Sequence, residues 1–121
     1  MAYVVERTFV IEKGTLVKFE QLSREGIWPY MEARGCKILG LFAIAHGGQS
    51  DEVVVLTAYD SLAHWEATRL NVAPPGASDE LKALAAAAAE AGRQRNAITV
   101  RSSTRVLRPI TAHVPIDVHP G

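Results

Sequence analysis

The stretch Gly47–Arg69, GGQSDEVVVLTAYDSLAHWEATR, decides the fold. It opens on a turn cluster, Gly47-Gly48-Gln49-Ser50-Asp51. A β-branched run, Val53-Val54-Val55-Leu56-Thr57, follows and closes on Tyr59. Asp60-Ser61 then starts a helix that carries Leu62, Trp65, Glu66 and Arg69. Turn, buried strand, N-cap and amphipathic helix thus follow one another without a break. Leu56, in the middle of the run, is expected in the core.

Outward from this stretch the chain alternates in the same way. Tyr3–Ile11 (YVVERTFVI) is rich in β-branched and aromatic residues and predicts a strand. Thr15 is placed to cap a helix running to about Arg34. Pro29 has no N–H to donate four residues back, so a kink or a two-part helix is expected near Gly26 to Trp28. Gly35 suits the left-handed residue that ends a helix. Lys37–His46 (KILGLFAIAH) predicts a second, almost wholly apolar strand, with Gly40 marking a bulge or a close backbone approach. The short connection over 47–51 predicts a hairpin to the third strand, Glu52–Tyr59.

Beyond Arg69, Asn71–Ala77 (NVAPPGA) reads as a loop, and Ser78 caps a helix whose first turn holds Asp79 and Glu80. The run Ala85–Ala89 favours a helix and offers little side chain to bury, so it is either a close-packing surface or a solvated spacer. Arg93 and Arg95 suit the end of that helix. Ala97–Leu107 is the fourth strand. The predicted domain spans 1–109, and the proline-interrupted tail 110–121 is given no regular structure.

The order β-α-β-β-α-β is the ferredoxin-like arrangement: an α+β fold with one antiparallel sheet carrying its helices on one face. The other sheet face is left uncovered, and large exposed apolar patches are rare on soluble monomers. A homodimer in which two sheets meet as an α/β barrel is therefore expected.

Composition excludes several classes. The 121 residues fit one domain, and 13 basic and 13 acidic residues give zero net charge. Nothing there favours nucleic acid or an anionic membrane. A single cysteine, Cys36, allows no intrachain disulfide. The start lacks a basic segment followed by an apolar one, so a cytoplasmic location is expected. His46, His64, His113 and His119 include no i, i+4 pair, and no Cys-x-x-Cys occurs, so neither metal nor other cofactor is expected. Gly47-Gly48 precedes a strand rather than a helix and makes no phosphate loop.

These residues carry a resemblance. Arg7-Thr8-Phe9 followed by Gly14, Pro29 and Gly35 late in the first helix, the stretch DEVVVLTAYDSLAHWEATR, and Leu107-Arg108-Pro109 occur in the order and spacing of the NIPSNAP family, within the dimeric α/β-barrel superfamily. Three positions depart from its pattern: Val5 where a glutamate is frequent, Phe9 without a hydroxyl, and Trp65-Glu66 where an Arg-Glu pair is frequent. The resemblance implies a dimeric barrel and no single reaction. The wider superfamily includes cofactor-free monooxygenases, isomerases, haem-degrading enzymes and ligand binders, and fold alone does not choose among them.

Alternation sorts the candidate site residues. Thr99, Arg101, Ser103 and Arg105 share one face of the last strand; Ile98, Val100, Ser102, Thr104 and Val106 share the other, which is more apolar and expected under the helices. If Arg7 shares the barrel-facing side with Arg101 and Arg105, the cavity is basic and suits a carboxylate or an enolate-forming molecule. The alternative is that Arg7 pairs with Glu6, Glu52 or a partner carboxylate and that the other arginines lie at the rim. Arg7 and Arg101, with Trp28 and Tyr3, are the candidate substrate-binding residues. His46, at the end of the second strand, and Tyr59 are the candidate catalytic groups, as a near-neutral base and a phenol. The expected function is small-molecule binding by a homodimer, with cofactor-independent chemistry of monooxygenase or isomerase type on a small anionic or aromatic substrate. The alternative is a non-catalytic protein-interaction or ligand-sensing module.

Overall fold

The structure is a computed structural model that describes residues 2–48 and 51–119. Gln49 and Ser50 of the expected turn, and Pro120 and Gly121 of the tail, lie outside the described residues.

Four strands form one sheet: β1 (Tyr3–Ile11), β2 (Lys37–Ala43), β3 (Glu52–Tyr59) and β4 (Thr99–Leu107), in the order β2-β3-β1-β4. Every pairing is antiparallel. With the intervening helices this is the ferredoxin-like α+β fold. The register sets the faces. Val5 opposes Thr57 and Val106, and Phe9 opposes Val53 and Ser102. Val5, Phe9, Ile11, Val53 and Val55 are buried with Phe19 from the helical layer, so the odd positions of β1 and β3 face the helices. Leu56 opposes Glu6 on the other face and is only half-buried. Its expected place in the core is thus corrected: the β-branched run is buried through Val53 and Val55, because a strand shows alternate residues to opposite sides.

The first helical region is continuous but changes its winding. It comprises α1 (Leu16–Gln21), a π-helical segment (Leu22–Ile27) and α2 (Trp28–Ala33). The N–H of Trp28 reaches back five residues to the Ser23 carbonyl. The break expected from Pro29 is therefore a widened turn rather than a separation into two helices. Widening lets the chain absorb the missing donor and the proline ring. Thr15 does not cap α1 through its side chain; its hydroxyl donates to the Glu12 carbonyl at 2.6 Å. After α2, Gly35 adopts φ +79°, with Gly35 N–H on the Glu32 carbonyl and Cys36 N–H on the Met31 carbonyl. This pair of bonds closes the helix as a left-handed glycine stop.

The second helical region comprises α3 (Leu62–Thr68) and α4 (Asp79–Ala97). Ser61 and Ser78 cap them, each Oγ accepting a backbone N–H, from His64 at 3.0 Å and from Leu81 at 3.1 Å. The alanine run is a packing surface: Ala85, Ala88 and Ala91 are buried on one stripe of α4. Gly26 of the π-helical segment lies so close to Ala91 that a Cβ there would overlap it. Small residues on both sides bring the two helices together.

In β2 the register shifts between Ile38 and Gly40, and the Phe42 ring lies over Gly40, where a Cβ would stand 2.8 Å from Phe42 Cζ. Beyond β4 the described residues of the tail have no regular structure. It runs past one corner of the open sheet face, where Val114 and Ile116 border a groove of about 520 Å³ with Val4, Leu39 and Leu107. Among the described residues no helix is long and apolar enough to cross a membrane.

Candidate functional site

Between the sheet and the helices lies a cavity of about 240 Å³. Its floor is Val5, Arg7, Phe9, Val55, Thr57 and Tyr59, all odd residues of β1 and β3. Ile27, Trp28 and Met31 form one wall, Trp65, Thr68 and Arg69 another, and Arg95 comes down from the last turn of α4. Apolar and aromatic walls with a few converging polar groups are what small-molecule sites present.

The polar end is built by two guanidinium groups. Arg7 Cζ stands 4.6 Å and Arg95 Cζ 4.8 Å from the centroid of the Phe9 ring, and Arg95 is also 5.1 Å from that of Phe19. The two rings meet edge to face at 4.9 Å. Among the described residues neither arginine has a carboxylate partner within ion-pair distance. Arg95 donates from Nη1 to Ser23 Oγ at 3.1 Å, and the Ser23 hydroxyl donates to the Phe19 carbonyl at 2.9 Å. Burial lowers the pKa of Arg7 below the ordinary guanidinium value, with a smaller opposing effect of Tyr59. Burial, and then the charge of Arg7, brings Arg95 down to about 10. Both remain cations at neutral pH, held where a cation is costly.

At the other end of the floor Tyr59 is buried, and burial pushes its phenol up to about 12, against a smaller lowering by a hydrogen bond with Thr57. It is therefore a proton donor, not a base, at physiological pH. Its ring meets that of His64 edge to face at 5.5 Å. His64 is a structural tie: Nδ1 accepts the Asp60 N–H at 3.0 Å, so Nε2 carries the proton and donates to the Arg34 carbonyl at 2.7 Å. Cys36 Sγ lies 3.9 Å from that same Nε2, which is already committed, and burial raises the thiol pKa. The pair is not arranged to form a thiolate.

The structure brings together some of the residues expected at a site and separates others. Arg7, Tyr59 and Trp28 line the cavity. Arg101 does not join Arg7: it opposes Val10 on the open sheet face, alongside Arg105, which pairs with Glu6. Adjacent strands show matching parity only as the register dictates. Arg7 opposes Thr104, so the even residues of β4 accompany the odd residues of β1. The expected basic lining of a sheet-to-sheet cavity is corrected accordingly; the basic cavity lies on the helical side. His46 is exposed in the connection after β2, at the opposite end of the β2–β3 hairpin from Tyr59, and does not border the cavity. Tyr3 shares the helical face by parity but lies beyond the cavity lining. Arg95 was not among the expected site residues. Its signal is in the spacing, since it continues the stripe Ala85, Ala88, Ala91 along α4. Among the described residues no three His, Cys, Asp or Glu side chains cluster to hold a metal.

Fold and cavity together define a ferredoxin-like α+β domain with an internal basic pocket under its helices. The NIPSNAP family profile matches residues 3–111, and the chain belongs to that family. Among solved structures it is similar to a NIPSNAP-like domain protein from Burkholderia xenovorans, with 20% identity, 98% of this chain and 92% of that chain covered, and a TM-score of 0.70. A NIPSNAP family protein from Agrobacterium tumefaciens aligns at 20% identity over 97% of this chain and 100% of its own, with a TM-score of 0.68. A protein from Chloroflexus aurantiacus, assigned to the antibiotic biosynthesis monooxygenases, shares the fold at 13% identity, with 94% and 98% coverage and a TM-score of 0.61. No curated protein matches the chain.

Proposed function

We propose that this NIPSNAP domain is a small-molecule-binding protein that works as a homodimer, with one aromatic or anionic ligand held under the helices of each protomer. The observation that carries this reading is the cavity itself: about 240 Å³, walled by Trp28, Met31 and Trp65, with unpaired cationic groups at one end. The support for a dimer is the open sheet face, where Val54 and Leu56 are half-buried and Phe42 is 49% exposed, with no helix over them. Burying such a face against a second copy is favourable at roughly 25 cal/mol per Å² of apolar surface.

A second reading, cofactor-independent turnover of the bound molecule, rests on Tyr59. Tyr59 lines the cavity and its phenol keeps its proton to about pH 12, so it is a donor of the kind that stabilises a carbonyl or a developing enolate. The neighbours assigned to monooxygenases share the fold at 13–15% identity, which supports an architecture suited to such chemistry and no particular substrate.

Native mass spectrometry of freshly purified protein tests the first reading. The expected spectrum shows a mass of two chains carrying a small-molecule adduct that is lost on denaturation. A bare monomer at micromolar concentration overturns the dimer. The absence of any adduct, combined with failure of small aromatic molecules to quench Trp28 and Trp65 fluorescence, overturns the ligand site.

A further inference from the structure

We propose that the cavity selects aryl or alkenyl carboxylates, the carboxylate being gripped jointly by Arg7 and Arg95 above the Phe9 ring. This rests on the reading that the cavity is a ligand site, and it goes further by naming the head group and the second residue that holds it.

Two guanidinium groups stand within 5 Å of one phenyl centroid, at 4.6 and 4.8 Å, and among the described residues neither meets a carboxylate. Stacking on Phe9 and Phe19 compensates part of their desolvation, since an aromatic face attracts a cation. It does not compensate their mutual repulsion, which lowers Arg95 further. Half-buried cations of this kind call for an anion between them.

The hydrogen bonds say how it is met. A guanidinium offers five N–H donors in a planar fork. The protein takes one of them in Arg95, the Nη1 bond to Ser23 at 3.1 Å, and Ser23 is itself fixed by the Phe19 carbonyl. That anchor sits in the π-helical segment, whose widened turn places Ser23 on the inner side at 0% exposure. Arg95 lines the cavity, and the bond to Ser23 leaves other donors of its fork for a ligand there. A planar carboxylate matches a fixed fork in two parallel bonds.

The rest of the cavity excludes a free inorganic anion as the preferred occupant. Ile27, Trp28 and Trp65 supply apolar and aromatic surface that such an ion leaves in contact with water. An apolar, planar tail fills it, directed along the strands toward Tyr59. Val55 lies opposite Arg7, and Tyr59 is four residues further along β3, roughly 13 Å at the usual rise per residue.

The test is isothermal titration of the full chain with trans-cinnamate and with its neutral isostere trans-cinnamamide, on wild type, Arg95→Gln and Arg7→Gln. Arg95→Lys serves as a charge-preserving variant, and thermal melting confirms that each is folded. Wild type is expected to prefer cinnamate by about 10- to 100-fold, the range of a hydrogen bond to a charged group. The preference should collapse in both glutamine variants, cinnamate losing more affinity than cinnamamide, and persist in part in Arg95→Lys. Equal binding of acid and amide to wild type overturns the proposal and leaves the ligand cavity standing. A preference that survives in Arg95→Gln overturns the joint grip. Displacement of cinnamate by equimolar inorganic phosphate overturns the carboxylate class. Binding of neither probe overturns this inference, and the reading on which it rests falls with it only where native mass spectrometry also shows no adduct and small aromatic molecules leave the tryptophan fluorescence unquenched.

Discussion

The two faces of the sheet are made from nearly the same residue types and do opposite things. On the helical face, Arg7 stacks on Phe9 without a carboxylate and lines a cavity. On the open face, one residue away in sequence, Glu6 pairs with Arg105 across to β4, an ion pair whose arginine is 69% exposed. Such an exposed pair contributes about 0–1 kcal/mol, and salt screens it. The lesson is that charge on a strand has no fixed meaning. Where a carboxylate faces it, the arginine is a surface ornament; where helices cover it and no carboxylate comes near, it becomes the polar end of a binding site.

The largest expected effect that sharpens this contrast is a pair of truncations. Phe19→Ala removes a ring at 0% exposure from the helical layer packed on the covered face and should cost about 3–5 kcal/mol in chemical denaturation. Leu56→Ala, on the open face, should cost less than half of that in a chain kept monomeric by dilution. Equal losses would mean that the two faces are buried alike and would break the comparison.

A smaller effect concerns how the helical layer closes over the cavity. Gly26→Ala pushes a methyl into Ala91 and should destabilise by about 1–3 kcal/mol, the usual cost of overpacking. Ala91→Gly introduced with it should recover a large part of the loss. An additive double variant would show that the contact does not set the spacing of these helices.

The smallest effect appears only in alkali. Tyr59 keeps its proton to about 12 in the folded chain and loses it near the ordinary phenol value of 10.0 when unfolded. Between these values the unfolded state binds fewer protons than the folded one, so stability falls as pH rises. Arg95 acts in the opposite sense over its own window, from about 10 upward, because there the folded state gives up its proton first. Comparing wild type with Tyr59→Phe by thermal melting isolates the tyrosine. The two should behave alike near neutrality, and the variant should lose less stability above pH 10. Parallel curves throughout would place Tyr59 in contact with water.

The sequence by itself determined a good deal. Hydrophobic alternation and turn chemistry specify each strand within a few residues, because strand period, N-cap serines and a glycine stop are local properties. Ser61, Ser78 and Gly35 act as those rules require. Element order then leaves the ferredoxin-like topology, and parity separates the faces of each strand. Three things belonged to the tertiary structure alone. Which face of β1 goes with which face of β4 depends on register, and that pairing sent Arg101 away from Arg7. Whether the alanine run packs or stays solvated depended on a partner helix, and Gly26 supplied it. The site itself is made by residues 88 positions apart in the chain, Arg7 and Arg95, whose guanidinium groups each stand within 5 Å of the centroid of one phenyl ring. No local pattern encodes such a meeting: it exists only once α4 has been laid across β1, and packing rather than propensity decides where a helix comes to rest.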